Sequence, residues 1–462
     1  MSQQSALEYV LDLEMHGIKL GLEKIRMLLK ELGSPQEKYP CVLIGGTNGK
    51  GSVTAMVAEA LARAGYCCGR YTSPHLVELK ERICLNDQPI PEDELEKRAL
   101  RVRRAIESLC ACGRFEVPCT FFEATTAMAL DYFAHSDVDI AILEVGMGGR
   151  FDATNATKPT LSVITNIELD HQQYLGETRT LIAREKVGIA RRNRRLIAGL
   201  TDPVSLATIQ DGCAQAGASL AEVSRLVEAH AVPEAPPADV YVFPGPLLQE
   251  GGERVSFRTR KRSYGPIRLG LAGMHQVDNA RTAIAVLEHL ENEGIDLERK
   301  SIEAGLSGVR WPGRLEHLPG RPLLILDSAH NPAGARALAT YLSQSKFEDL
   351  TLVFGAMQDK LIEHMARHLF PLAKRVILTR VPYRRSADPR MLSMSLASLN
   401  GWLTVMNDSK RALDVALALT TAGGAVCVCG SIYLVGAAIE HPEVQKRRRA
   451  TRRQPSALDP AI

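Results

Sequence analysis

VLIGGTNGKGSVTAMVAEALARAG, residues 42–65, runs from a short apolar strand through a glycine-rich turn into a helical pattern with Ala55, Ala58, Leu61 and Ala62 on one side. Glycines let successive backbone N–H groups converge on one anion. The helix that follows adds the partial positive charge of its N-terminus, and a lysine at position 50 reaches terminal phosphates. Thr47, Asn48, Gly49, Lys50, Gly51 and Ser52 are therefore candidate nucleotide contacts. The spacing departs from G-x-x-x-x-G-K-[ST], because Gly51 stands between Lys50 and Ser52 and Gly46 precedes Gly49-Lys50 by too few residues. A glycine turn without a ligand is the alternative, and the lysine at this place argues against it.

Outward from this unit the same alternation continues. Apolar runs at 41–44, 140–143, 161–164, 323–326, 352–354, 376–378 and 425–429 are separated by segments of helical period. That order predicts an α/β chain with largely parallel sheets covered by helices. Residues 230–270, rich in proline and glycine with short alternating runs, read as an antiparallel excursion. Val309-Arg-Trp-Pro-Gly-Arg314 punctuates the chain before a fresh strand at Leu323. The expected division is a first domain over 1–310, a second over 311–445 and a disordered basic tail over 446–462.

Composition narrows the class. Of 462 residues 45% are apolar and 24% charged, as in ordinary globular proteins. Lys and Arg total 56 against 53 Asp and Glu. Residues 446–462 hold six of those cations and one acid, so the remainder carries 50 against 52, a charge of −2, and no nucleic-acid footprint is expected. Ten cysteines without a C-x-x-C pair read as reduced thiols of a cytoplasmic protein, and the N-terminus lacks the basic and apolar regions of a secretory leader. Val415 to Ile439 is 25 residues without a charge, but Gly423-Gly424 and Gly430-Ser431 break it into helix, strand and helix, so buried core is expected there and no membrane contact.

Further segments carry chemistry at strand ends. Asp139-Ile-Ala-Ile-Leu-Glu144 is a buried-type strand ending in an acid, and the glycines of Val145 to Asn155 permit close approach of backbone to ligand. The strand at 161–165 leads to His171, a surface turn histidine or a metal or phosphate contact. Lys186 by itself reads as a surface cation paired with Glu185. Asp327 and His330 stand where the strand at Leu323 must turn, and Pro332 suits the first turn of the next helix.

Taken in order, GTNGKGS (46–52), YTSPHL (71–76), ERI (81–83), TFFE (120–123), LEVGMGGRFDATN (143–155), LDHQQYLG (169–176), EKVGI (185–189), GMHQVDNA (273–280), WPGRLE (311–316) and DSAHNP (327–332) resemble the folylpolyglutamate synthase and dihydrofolate synthase family of the Mur ligase superfamily. The resemblance implies a P-loop, Mur-ligase-like central domain with a smaller Rossmann-like C-terminal domain. It implies a monomeric ATP- and Mg²⁺-dependent ligase with two metal ions, acting on small molecules. ATP would phosphorylate a carboxylate of a dihydropteroate or folate, and L-glutamate would then displace phosphate to form an amide. By matching motifs, Ser73, Glu144 and His171 would hold Mg²⁺, Lys50 and His171 would act at the reacting centre, and Lys186 would be carried as a carbamate. Asn279, Arg314, Asp327 and His330 would contact ATP, the last three from the linker and C-terminal domain. Gly21, Leu22, Glu23, Thr120, Phe121, Phe122, Glu123, Phe151, Asp152 and Ala153 would line the pterin site. Ser328 for a usual Gly, Val187 for Ala and Gly45 for a larger residue are departures that remove no functional group. The competing readings are a Mur-type amino-acid ligase of cell-wall synthesis, against which TSPHL and TFFE argue, and a P-loop hydrolase making no amide, against which DSAHNP and Arg314 argue.

Overall fold

Apolar runs that are buried on both faces need a sheet covered on both sides, and the chain builds two of them. The structure, a computed structural model, describes residues 5–17, 21–232 and 252–453. The first sheet has eight strands: β1 Cys41–Gly45, β2 Cys68–Tyr71, β3 Ile83–Leu85, β4 Gln88–Pro89, β5 Ile140–Glu144, β6 Leu161–Ile164, β7 Arg195–Ala198 and β8 Ser219–Glu222. Their order is β4-β3-β2-β5-β1-β6-β7-β8, parallel except where β3 and β4 turn back as a hairpin beside β2. Every residue of β1, β5 and β6 is buried. In register, Ile44 lies opposite Glu144 on one side and Val163 on the other, so these three strands finish level at their carboxyl ends. Ligands of open parallel sheets bind beyond such ends.

Helix Lys50–Arg63 leaves β1 through the glycine turn and is buried along most of its length. Its small residues allow helix Arg299–Gly308 to approach closely: a Cβ on Gly305 would lie 2.5 Å from Ala60 Cα and 2.6 Å from Ala60 N. Helix Phe121–His135 covers the sheet with a nearly continuous buried surface and starts at a capping box, Thr120 with Glu123. A small sheet of β9 Val227–Ala231, β10 Arg254–Thr259 and β11 Ser263–Arg268, in order β11-β10-β9 with β9 and β10 antiparallel, is the excursion that proline and glycine foretold. Residues 233–251 of that excursion lie outside the described residues.

The second main sheet consists of β12 Glu316–Leu318, β13 Leu323–Leu326, β14 Leu350–Phe354, β15 Arg375–Thr379, β16 Leu403–Met406 and β17 Ala425–Cys429, in order β12-β13-β17-β14-β15-β16. All neighbours are parallel except β12, which pairs antiparallel with β13. Both main sheets are thus of the α/β kind expected. The uncharged stretch from Val415 becomes the end of helix Ser409–Leu419, strand β17 and helix Ile432–Ile439. Among the described residues no helix is long and apolar enough to cross a membrane. By contacts the described chain falls into two units, one up to Ala231 with Val255–Ile267 and Val277–Val309, the other from Arg310 onward with Arg268–Gln276 and residues 252–254.

One expectation is corrected. The basic run from Lys446 is not disordered up to Arg453 but forms helix Pro442–Arg453. Val444 is fully buried, Arg447 pairs with Glu443 at 2.8 Å and donates to Pro322 O at 2.7 Å, and Arg448 pairs with Glu316 at 2.8 Å. Two consecutive cations of the run, Arg447 and Arg448, have fixed acceptors, which a charge count along the sequence does not reveal. Residues 454–462 lie outside the described residues.

The Gly305 contact yields a test. Alanine gains about 1 kcal/mol over glycine in helix propensity, but overpacking against backbone costs about 1–3 kcal/mol. Gly305→Ala is expected to lower the unfolding free energy in urea titration, and an unchanged or raised midpoint would contradict the close approach.

Candidate active site

The turn after β1 is shaped by the segment after β6. Gly46 has φ 134°, and a Cβ there would sit 1.9 Å from Thr165 Oγ1 and 2.9 Å from Thr165 N, so only glycine fits. Thr165 Oγ1 donates to Asn48 O at 2.6 Å. The N–H of Thr47 donates to Asn166 O at 3.0 Å, and the N–H of Asn48 to Asn166 Oδ1 at 2.9 Å. Thr47 Oγ1 donates to Glu168 O at 3.1 Å and accepts from Glu168 N at 3.0 Å. Thr47 and Asn48, read from the sequence as nucleotide contacts, thus direct these groups to the neighbouring loop. The N–H groups of Lys50, Gly51 and Ser52 stand in the first turn of the helix, where no preceding turn can supply acceptors. Gly49 is the N-cap at φ 81°, and Asn279 packs against it closely enough that a Cβ would lie 2.3 Å from Asn279 Oδ1. Lys50 Nζ donates to Thr47 O at 2.9 Å, which folds the cation over its own turn.

At the level end of β5, Glu144 is only 6% exposed, and its Oε2 accepts the N–H of Ser73 at 3.2 Å. The structure therefore joins two of the three residues matched to a metal role. The third, His171, takes a left-handed conformation at φ 52° beyond β6, with its N–H donated to Asp170 Oδ1 at 2.9 Å. Among the described residues no group of three or more His, Cys, Asp and Glu side chains gathers for a metal ion. A carboxylate, a hydroxyl and an imidazole nevertheless suit an ion that keeps several waters and shares phosphate oxygens, as Mg²⁺ does.

Lys186 is no surface cation. It ends helix Arg179–Lys186, is 4% exposed, and donates from Nζ to Gly46 O at 2.7 Å. Burial first, then the charge of Lys50, lowers its pKa to about 7, with Asp170 and Asp152 pulling the other way. An amine of that pKa is substantially neutral near neutrality, the state in which it is nucleophilic.

Of the residues matched to the pterin site, several acids and hydroxyls serve the fold. Glu123 Oε2 accepts both Thr120 N and Thr120 Oγ1 at 2.8 Å. Asp152 accepts Met147 N at 2.9 Å, Thr154 N at 3.0 Å and Thr154 Oγ1 at 2.6 Å, and burial raises its pKa. Ala153 is core. Phe121 and Phe122 are half-buried at the helix start, and Phe122 lies so near Gly146 that a Cβ there would be 2.5 Å from its ring. Phe151 is 42% exposed, and Gly21, Leu22 and Glu23 open helix Glu23–Glu31 with partly or fully exposed surfaces.

In the second unit, Asp327 at the end of β13 accepts Leu315 N at 2.9 Å and Ala329 N at 3.0 Å. His330 Nδ1 lies 2.9 Å from Ser328 O. Arg314 and Asp327 both act on partly buried His275, whose pKa is lowered by burial first, with Asp327 raising it and Arg314 lowering it. His275, like Thr165, Asn166 and Asp170, was not singled out from the sequence. For Asn166 the signal was present: a polar Thr-Asn pair ending an apolar strand that neighbours β1.

A parallel sheet whose first strand ends in this glycine turn, followed by a second α/β unit, is the architecture of the Mur ligases, and the comparisons place the chain in that class. Residues 119–287 match the Mur ligase middle domain and residues 313–432 the Mur ligase glutamate ligase domain. The chain is 33% identical over 427 residues to the dihydrofolate synthase/folylpolyglutamate synthase of Bacillus subtilis, covering 91% of this chain and 94% of that protein. It is 35% identical over 439 residues to a probable bifunctional folylpolyglutamate synthase/dihydropteroate synthase of Haloferax volcanii, covering 95% of this chain and about half, 50%, of that longer protein. A crystal structure of a bifunctional folylpolyglutamate synthase/dihydrofolate synthase with Mn, AMPPNP and L-glutamate bound superimposes with TM-score 0.80 at 28% identity, over 95% of this chain and 99% of that one. The chain belongs to the folylpolyglutamate synthase/dihydrofolate synthase family.

The lowered pKa of Lys186 has a thermodynamic consequence. Between about 7 and the ordinary 10.5, the folded protein binds fewer protons at this site than the unfolded chain, so stability rises with pH through that window. Lys186→Met is expected to flatten the rise by about 1 kcal/mol per pH unit in denaturant titrations across it. An identical slope in the variant would show that the amine is not buried in its neutral form.

Proposed function

We propose that this protein is an ATP-dependent ligase that joins L-glutamate to the carboxylate of a dihydropteroate, of a folate, or of both, through an acyl phosphate. The observation that carries the reading is the level end of β1, β5 and β6, where the turn bearing Lys50, the Glu144 carboxylate and the loop of His171 share one edge. A free carboxylate does not yield to an amine, because oxide is a poor leaving group. Transfer of the terminal phosphoryl group of ATP to it supplies a good one.

Bringing that phosphoryl group to a carboxylate opposes like charges. At about 4 Å and an effective dielectric of ~20 one such pair costs roughly 4 kcal/mol. Lys50 and the first-turn N–H groups of helix Lys50–Arg63 offset part of this cost at the phosphates. Ser73, Glu144 and His171 would hold Mg²⁺, which when bound neutralises phosphate charge, and a second ion would share the site. Lys186 as a carbamate would exchange a cation for an anion at Gly46, beside Lys50, and so help to hold that second ion. Its burial and lowered pKa support this role, since only the neutral amine adds CO₂. Arg314, Asp327 and His330 are the nucleotide contacts proposed in the second unit, and Phe121, Phe122 and Phe151 offer the aromatic surface for a pterin.

Two outcomes are expected. With acyl substrate labelled in its carboxylate oxygen, one labelled atom should appear in released phosphate, and ADP release should depend on glutamate. Label retained wholly in the product excludes the acyl phosphate. Native mass spectrometry in bicarbonate should show one added CO₂ that Lys186→Met lacks, and equal masses would dismiss the carbamate.

A further inference from the structure

Glu81-Arg82-Ile83 is the one motif to which neither fold nor proposed reaction has assigned a task. The Glu81 carboxylate accepts the N–H groups of Leu76 at 2.8 Å, Val77 at 3.1 Å and Glu78 at 2.9 Å, folding the loop that follows Ser73 back on itself. Arg82 O accepts Thr72 N at 2.9 Å, so Arg82 is clamped against the residue that precedes Ser73. The same loop delivers Ser73 N–H to Glu144.

The Arg82 side chain has the surroundings of a receptor. The residue is 7% exposed, its Nε donates to His75 Nδ1 at 2.9 Å, and its guanidinium carbon lies 5.1 Å from the centre of the Phe121 ring. Among the described residues no Asp or Glu pairs with it, and its only hydrogen bond is the one to His75. Arginine Nε can only donate, so His75 Nδ1 is the acceptor and carries no proton, and the ring adds no second cation. The two outer nitrogens of the guanidinium form a fork matched to a carboxylate. Elsewhere in this chain buried arginines have acids: Arg98 pairs with Asp131 at 3.0 Å, and Arg375 with Asp349.

The geometry points to Arg82 as the group that receives the carboxylate of the acyl substrate, with His75 as a positioning residue that fixes the rotation of the guanidinium against Phe121. This rests on the proposed ligase reading and adds to it the residue that recognises the acid. An aryl acid lying on Phe121 and Phe122 would present its carboxylate to the fork, on the loop that also carries Ser73. One carboxylate oxygen bonded to Arg82 leaves the other for the phosphorus.

The test is calorimetric binding of dihydropteroate and of its analogue lacking the carboxylate, with an ATP analogue as a control ligand. Native protein is expected to prefer the acid on the order of ten- to hundredfold. Arg82→Gln should bind both compounds about equally, Arg82→Lys should keep a small preference, and the ATP analogue should bind all three alike. His75→Gln, which retains an acceptor, should preserve more of the preference than His75→Leu. Full preference in Arg82→Gln overturns the assignment alone. Native protein that binds the ATP analogue but neither pterin overturns the ligase reading and this inference with it. Loss of ATP-analogue binding in both Arg82 variants, with lowered melting temperatures, shows a structural arginine and overturns the assignment.

Discussion

The rest of the site depends on the contact between the turn after β1 and the loop after β6. Gly46 has no room for a side chain because Thr165 fills it, and Asn166 takes the N–H groups of Thr47 and Asn48 with two oxygens of one residue. These bonds set the direction in which helix Lys50–Arg63 departs. They also set where its first-turn N–H groups converge. Buried Lys186 also donates to Gly46 O, so the turn is tied to the end of helix Arg179–Lys186 as well as to the segment after β6.

Many polar residues of the motifs are consumed in building loops. Glu81, Glu123, Asp152 and Asp327 each accept two or more hydrogen bonds from nearby N–H or hydroxyl groups. A carboxylate can gather several backbone donors where a turn leaves them without strand or helix partners, and buried donors must be satisfied. The motifs therefore describe the shapes of loops as much as the chemistry done on them. The features proposed to meet ligands are a smaller set: the lysine of the turn, the acid at the end of β5, the aromatic rings of the TFFE segment and a buried arginine that among the described residues has no acid.

Periodicity made the fold legible because parallel strands are buried on both faces and so appear as short uninterrupted apolar runs; all seven runs became strands. It misjudged the basic run after Gln445, where Glu443, Glu316 and Pro322 O supply acceptors from distant or adjacent turns. It left His171 undecided on residue chemistry alone. For Lys186 residue chemistry favours the surface pairing with Glu185, and only the tertiary structure shows it buried and donating to Gly46 O.

What the amino-acid sequence by itself determined is the order of strands and helices, the place of the glycine turn, and the family to which the ordered motifs belong. Those are local properties: glycine where the backbone must bend, apolar runs where it must be covered, lysine at the start of a helix. Only the tertiary structure decided which N–H groups of the turn are already engaged, that Lys186 is buried, and that Arg82 lies on Phe121 with histidine as its hydrogen-bond partner. Burial and pairing are set by residues far away in sequence. Desolvation depends on that whole environment, so charge states and unpaired cations cannot be read from neighbours along the chain.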